Sequence, residues 1–351
     1  MVDSAIVEAW KKAPRVNLFA SFFETTASGL GGMPDLGKPV PDFDLLSHDL
    51  DCMTFWGTQQ TLWGHFDAHY FASIPYRLEE ECRLGSAIFS FAQKAWTRNG
   101  RIATIYTLGA GAGTLARTLA ALGDGLVKSI NCSPTNGNRV SFFANQGSPH
   151  ASFYLGPFFE LDDLRYETDK TLQPFRDGYD VLLEDTTFQM YGRDRENQTG
   201  FIAPRIRENG VLIQVQKLRH PDAGTYLKRE IQKDGAFKAK YFSANQIIEK
   251  KREVLDTMVD FQVDLETSRS ALRSYFRYSV VTWNSGNFYT IVSSNSHQAI
   301  CDLITTMIKP AIAPEFCYEL LPYVLLDDEH SPLPSDWTWR APKSAAVKAG
   351  P

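Results

Sequence analysis

Three groups of residues in this 351-residue chain have types and spacings suited to chemistry. Gly109, Gly111 and Gly113 stand at alternate positions directly after the apolar, β-branched run Ile105-Tyr106-Thr107-Leu108, and a helical pattern starts at Thr114. Glycines at a strand-to-helix turn let the backbone approach a ligand closely, and the free N–H groups of the helix start favour an anionic or nucleotide-like group. Glu184 and Asp185 end a second apolar run, Tyr179 to Leu183, so strand alternation sends their carboxylates to opposite sides. One of them facing the crevice would act as base or amine anchor. The competing reading is an acid that caps the next turn. His65 and His69 lie four apart in a helical segment, a spacing that can bind a metal or place a base. The simpler reading, histidines at the edge of an aromatic layer, is preferred, and no metal is expected.

The elements that must position these groups alternate between strand and helix. A helix from Tyr76 to Trp96, with Leu84, Ile88, Phe91 and Ala95 on one face, stops at Arg98-Asn99-Gly100. A strand over 101–108 follows, then a helix over 113–122 with Gly123 as its C′ residue. The pattern continues to a fifth strand at 211–217, which makes a doubly wound α/β sheet with the glycine loop at its ligand-binding end. Two cofactors compete for that loop. The dinucleotide fingerprint G-x-G-x-x-G needs a third glycine where Thr114 stands, and an acid near the end of the second strand, where Asn131 stands. A nicotinamide oxidoreductase is therefore disfavoured.

The spacing G-x-G-x-G resembles motif I of class I S-adenosylmethionine (SAM)-dependent methyltransferases. Ile130-Asn131-Cys132-Ser133-Pro134, Gly178-Tyr179-Asp180-Val181-Leu182-Leu183-Glu184-Asp185 and Asn209-Gly210-Val211-Leu212-Ile213-Gln214-Val215 are similar to that family's second, fourth and fifth strand motifs, in the same order. The resemblance covers residues 76 to 295. It implies a doubly wound, seven-stranded Rossmann-like sheet ending in a hairpin with a reversed last strand. It also implies SAM lying across Thr107, Leu108, Gly109, Ala110, Gly111, Gly113, Asn131, Cys132 and Ser133. Asn131 replaces the usual ribose-binding acid, and an amide is a weaker partner than a charged acceptor. Pro157 and Phe158 follow the third strand, where Phe158 would stack on the purine in place of an adenine-binding Asp. Tyr76 and Arg77 are placed to reach the SAM carboxylate. Glu184, Asp185, Tyr191 and, from the N-terminal segment, His69 are the catalytic candidates between cofactor and acceptor.

Residues 1–75 are read as an N-terminal helical lid dense in aromatics, among them Phe22, Phe23, Phe66 and Tyr70. Residues 76–295 form the SAM-binding domain, with a helical insertion at about 220–270 in which Ser243 caps a helix. Arg277–Trp283 and Phe288–Ser294, joined by Asn284-Ser285-Gly286-Asn287, read as the terminal hairpin. Residues 296–351 give one more helix, at 296–309, and a Pro-rich tail whose last Ala/Lys/Gly stretch is expected to be disordered.

Composition narrows the function. The net charge is -5 and no basic stripe runs along the chain, so a nucleic-acid partner is not expected. Lys250-Lys251-Arg252 reads as a solvated helix face. No apolar run reaches membrane-spanning length, and the start of the chain lacks a secretory apolar core. The five cysteines contain no C-x-x-C pair, so neither disulfides nor a cysteine metal site is indicated. The expected protein is a cytoplasmic SAM-dependent methyltransferase acting on a small-molecule metabolite, compatible with a homo-oligomer. Two alternatives keep SAM. One is intramolecular cyclisation to azetidine-2-carboxylate with release of methylthioadenosine. The other is a catalytically idle SAM-binding protein.

Overall fold

The computed structural model describes residues 2–344. The end of the tail, where disorder was expected, lies outside the described residues from 345 on. Five apolar runs form parallel strands: β1 Ala103–Leu108, β2 Val127–Ser133, β3 Ala151–Leu155, β4 Tyr179–Asp185 and β5 Ile206–Lys217. The central strands are apolar on both sides because both faces of the sheet are covered. In β1, Ile105 joins one apolar cluster and Tyr106 the other. The hairpin is β6 Tyr278–Ser285 and β7 Phe288–Ser294, with β7 antiparallel to β5.

One element departs from the expected sheet. It has eight strands, not seven, in the order β3-β2-β1-β4-β5-β7-β6-β8. The eighth, β8 Tyr323–Leu326, comes from the tail and pairs antiparallel with β6. Four residues beside Pro322 carry too little periodicity to read as a strand, and β6 supplies the pairing edge. The tail is also fixed at its other end. Asp49 accepts from both Arg340 amino groups (2.8 and 3.0 Å) and from the Lys343 N–H (2.9 Å). Burial pushes the Asp49 carboxyl up, but these donors outweigh it and hold it at about 2.

The helix leading into β1 runs Arg77–Asn99, and Leu84, Ile88 and Phe91 are buried on one face as the spacing predicts, while Ala95 is only half-buried. Its first three turns are buried all round, including Arg77, Glu79, Glu80, Glu81 and Arg83. Gly85 permits this: a Cβ there would sit 2.2 Å from the Phe55 ring of the Leu50–Gln59 helix. The helix after the glycine loop, Thr114–Gly123, ends one residue later than expected. The left-handed residue is Asp124 (φ 39°), and Gly123 is the last helical residue, where a Cβ would stand 2.9 Å from Val127. The helix expected at 296–309 is shorter, His297–Ile304.

Before β1, the helices Ser4–Lys11, Ala20–Ala27, Leu50–Gln59 and His65–Phe71 pack over the sheet. Trp10, Phe19 and Phe23 enter the cluster on one face, and Phe55, Trp56 and Phe71 the cluster on the other. Between β5 and β6 lie the helices Ala223–Gln232, Ala244–Lys250 and Leu265–Arg273. Ser243 caps the second of these through the Gln246 N–H, with Gln246 closing a capping box.

Candidate active site

β1 and β4 are neighbours at the point where the strand order reverses, so the loops at their C-terminal ends form the crevice of the sheet. The glycine loop occupies one side. Gly109 and Gly111 hold φ of 72° and 54°, a region costly for residues with a side chain. The loop is also crowded. A Cβ on Gly109 would lie 1.9 Å from Thr187 Oγ1, and one on Gly111 2.6 Å from the Phe66 ring. The post-β4 turn and the N-terminal segment therefore close directly onto the loop. Between them is a cavity of about 110 Å³, lined by Gly109, Ala110, Gly111, Phe66, Tyr70 and Asp185 among others.

The two acids at the end of β4 separate as alternation predicts. Asp185 faces the cavity and accepts from the Tyr70 hydroxyl and from Arg77 Nη2 (2.9 Å). The same Arg77 nitrogen lies 2.7 Å from Glu81, and Arg77 Nε donates to Tyr70 Oη (3.2 Å). This ion-paired group is buried, and Arg77 Nη1 has no hydrogen-bond partner among the described residues. Burial, reinforced by Asp185, holds the Tyr70 hydroxyl well above its ordinary range, so it is a donor and not a base. Burial likewise raises Glu81 to about 7, despite Arg77.

Glu184 is a correction. It is fully buried and turned away from the cavity. Its Oε1 accepts from the Thr187 and Phe188 N–H groups (2.7 and 2.9 Å), and Oε2 accepts from Gln216 Nε2 (3.0 Å). It is the acid that shapes the turn after β4, not a catalytic group. Burial raises its carboxyl to about 7. Between the ordinary carboxylate range and pH 7 the folded chain therefore holds a proton that the unfolded chain releases. This group's contribution makes stability fall as pH rises through that window. Glu184→Gln keeps an acceptor for both N–H groups and removes the charge. Thermal midpoints measured at pH 5 and pH 8 should show the variant gaining on the wild type at pH 8. An equal difference at both pH values would contradict this role.

His69 lines the cavity and is buried. Its Nδ1 faces the Gly32 carbonyl, and its Nε2 lies 2.6 Å from Lys250 Nζ. These partners assign the proton to Nδ1 and leave Nε2 as acceptor. Burial, then the Lys250 charge, keeps the ring's pKa well below its ordinary value, so it is neutral. His65 does not join it: that residue is exposed, with its ring against Gly29.

The remaining expected residues divide between the loop framework and the core. Asn131 ties both ends of its amide to the loop: Nδ2 donates to the Gly111 carbonyl (3.0 Å) and Oδ1 accepts from Thr107 Oγ1 (2.8 Å). It shapes the glycine turn from behind and is not directed at a ribose. Ser133 accepts from Asn138 Nδ2 (3.1 Å) and starts the turn into the Asn136–Ala144 helix. Leu108, Cys132, Phe158 and Tyr191 belong to the apolar core. The Phe158 ring is enclosed by Trp10 (5.2 Å), Tyr191 (5.3 Å), Phe188 (5.7 Å) and Phe201 (5.7 Å), so it offers no free face to a purine. Pro157 leads into that buried turn. Tyr76 packs on Phe316 and Phe237, away from the cavity.

Tyr70 and Phe23, read as aromatics of the N-terminal segment, reach the site. The site also holds residues that the sequence reading did not single out: Glu81 completes the Asp185 group, and Arg15 lines the cavity with its guanidinium 4.1 Å over the Phe23 ring. Lys217, Lys233, Lys238 and Lys250 line it as well. The i,i+4 spacing of Arg77 and Glu81 was the one available signal, and it is equally common on solvated helices.

No family model matches the chain, and no curated protein matches it. Solved structures similar to it include the plantazolicin methyltransferase BpumL in complex with SAH, at 9% identity over 61% of this chain and 85% of that one, with a TM-score of 0.40. The mitomycin 7-O-methyltransferase MmcR is 14% identical over 83% of this chain and 71% of its own, with a TM-score of 0.37. The pyocyanin biosynthetic protein PhzM is 9% identical over 60% of this chain and 56% of its own, with a TM-score of 0.36. Similarity of this size assigns no activity, which leaves the strand order and the site geometry to carry the functional reading.

Proposed function

We propose that the chain is a SAM-dependent methyltransferase acting on a small molecule. The observation that carries this reading is the glycine loop at the β1/β4 switch point, opening on a cavity that Asp185 faces, in a sheet where a reversed β7 lies against β5. The residues present suit the cofactor. Gly109 and Gly111 bring backbone to the cavity wall, and Asn138 Oδ1, Gln189 Oε1 and Arg77 Nη1 are buried polar atoms without partners among the described residues. The first two belong to side chains that line the cavity. At about 110 Å³ the cavity is smaller than the ~300 Å³ at which small-molecule sites begin, so cofactor entry requires Phe66 to move off Gly111.

SAM, when bound, supplies an activated methyl group, and the chain's work is to orient it and exclude water. Asp185 and Arg77 fix the Tyr70 hydroxyl at the cavity wall. Tyr70, Phe66 and Phe23 provide aromatic surface beside a sulfonium. Among the described residues the cavity's imidazole and the acid at the end of β4 are engaged: His69 Nε2 is occupied by Lys250, and Asp185 by Arg77 and Tyr70. The aromatic lining also fits a second reading, intramolecular cyclisation of SAM, in which the α-amino nitrogen, once its proton is lost, displaces methylthioadenosine from the γ-carbon. Calorimetric titration of purified protein with SAM and SAH tests the shared premise. Saturable 1:1 binding is expected, and no heat with either ligand would rule out both readings.

A further inference from the structure

The cavity has a cationic end that the reading above does not use. Lys217 closes β5, Lys233 and Lys238 follow the Ala223–Gln232 helix, and Lys250 ends the Ala244–Lys250 helix; all four line the cavity. Two carboxylates accompany them. Glu230 lies 2.7 Å from Lys217 Nζ and 2.5 Å from Lys233 Nζ, which neutralises about one of that pair. Asp234 Oδ1 lies 2.9 Å from Lys238 Nζ, but the approach is off-line and neither atom has a hydrogen-bond partner among the described residues. Among the described residues Lys250 Nζ meets neutral acceptors, His69 Nε2 at 2.6 Å and Ser73 Oγ at 2.7 Å. The other acids lining the cavity are committed elsewhere: Asp185 and Glu81 to Arg77, and Asp67 to the Gly64 N–H (2.7 Å).

Four lysine amines against two carboxylates leave this wall short of anions. Buried like charges without partners destabilise a fold. Mutual repulsion adds to burial in disfavouring the charged forms. Burial, then Lys233, lowers Lys238 to about 8, and burial with Lys238 and Lys233 lowers Lys250 well below its ordinary value. An anionic ligand would relieve it. Position says which ligand. β5 lies two strands from β1 across β4, roughly 10 Å at normal strand spacing, so Lys217 at the end of β5 stands beyond Asp185 from the glycine loop, with Lys233 tied to it through Glu230. A cofactor on the loop leaves this end for the acceptor.

Resting on the SAM-dependent reading, we propose that the acceptor is an acidic small molecule whose carboxylate or phosphate is held by Lys238 and Lys250, with Lys217 and Lys233 behind them.

The test uses the full chain with citrate and inorganic phosphate as probes, in a zwitterionic buffer, with SAH present at saturation. Thermal shift should show the wild type stabilised by at least one probe. Lys238→Met and Lys250→Met should each weaken probe binding at least tenfold while SAH affinity stays within about twofold, and Lys250→Arg should restore the binding. Lys238 is buried and Lys250 half-buried, and neither pairs with a carboxylate by a hydrogen bond among the described residues, so the folded state should be retained in each Met variant, which the unliganded midpoint verifies. No stabilisation of the wild type by either probe overturns the proposal. So does a fall in SAH affinity in the Met variants with 5′-methylthioadenosine binding unchanged, because the lysines would then hold the cofactor's own carboxylate. Probe binding that is lost in both variants, in a wild type that does not bind SAH, supports the oxyanion site and removes the methyltransferase reading alone.

Discussion

Gly111→Val is expected to abolish SAM binding, with affinity reduced more than about 100-fold, while the chain still unfolds in one cooperative transition. Two features combine at this position. The backbone holds φ at 54°, where a β-branched residue costs about 1–3 kcal/mol, and a Cβ would point at the Phe66 ring from 2.6 Å. The strain is smaller than the ~5–15 kcal/mol total stability of a typical protein, so folding should survive. The new side chain would occupy the space through which a ligand reaches the backbone, and it would block the movement of Phe66 that entry requires. Calorimetric titration beside a thermal melt checks both halves. Undiminished SAM binding by a folded variant would remove the glycine loop from the cofactor site.

The largest stability effect is expected from Arg77→Leu. Arg77 is fully buried between Asp185 and Glu81, so its removal leaves two carboxylates facing each other without a cation. Breaking a buried pair in this way typically costs about 3–5 kcal/mol. For a chain of this size that corresponds to a drop of roughly 4–7 °C in thermal midpoint. The pH dependence has a definite sign. Burial already raises Glu81 to about 7 with the lowering effect of Arg77 in place, and losing Arg77 raises it further. The penalty falls when Glu81 takes a proton, so it should be largest above pH 7 and shrink toward pH 5. A midpoint within 2 °C of the wild type at pH 8 would show that the Asp185 group is not held together by this arginine.

The parts of the fold that could be read from the chain are those written in local pattern. The β-branched runs, the glycine loop between Leu108 and Thr114, the Ser243 cap and the hairpin turn at 284–287 all lie within a few residues of the structure they specify. β8 was not legible, because four residues acquire strand geometry only from the exposed edge of β6. Within the site, alternation along β4 correctly separated Glu184 from Asp185, but which of them faces the crevice depends on Gln216 in the next strand. Asn131 and Phe158 stand where the family resemblance places cofactor contacts. The structure turns the first into a brace for the loop and the second into core, because the N-terminal helices bring Trp10 onto Phe158. The lysines were the least visible. Lys250-Lys251-Arg252 reads as a solvated run, and Lys251 and Arg252 are exposed, yet Lys250 turns inward to His69. A charge pattern does not record which of three adjacent cations meets a cavity contributed by residues 181 positions away.

The most direct test of the central claim is mass spectrometry of the nucleoside products after purified protein is incubated with SAM, first alone and then with a panel of small carboxylic and phosphorylated acceptors. A methyltransferase of the kind proposed leaves SAM bound and intact in the first sample, and releases SAH with an acceptor 14 mass units heavier in one of the second set. Methylthioadenosine and a cyclised amino acid from SAM alone would contradict methyl transfer and assign the cavity to the intramolecular reaction.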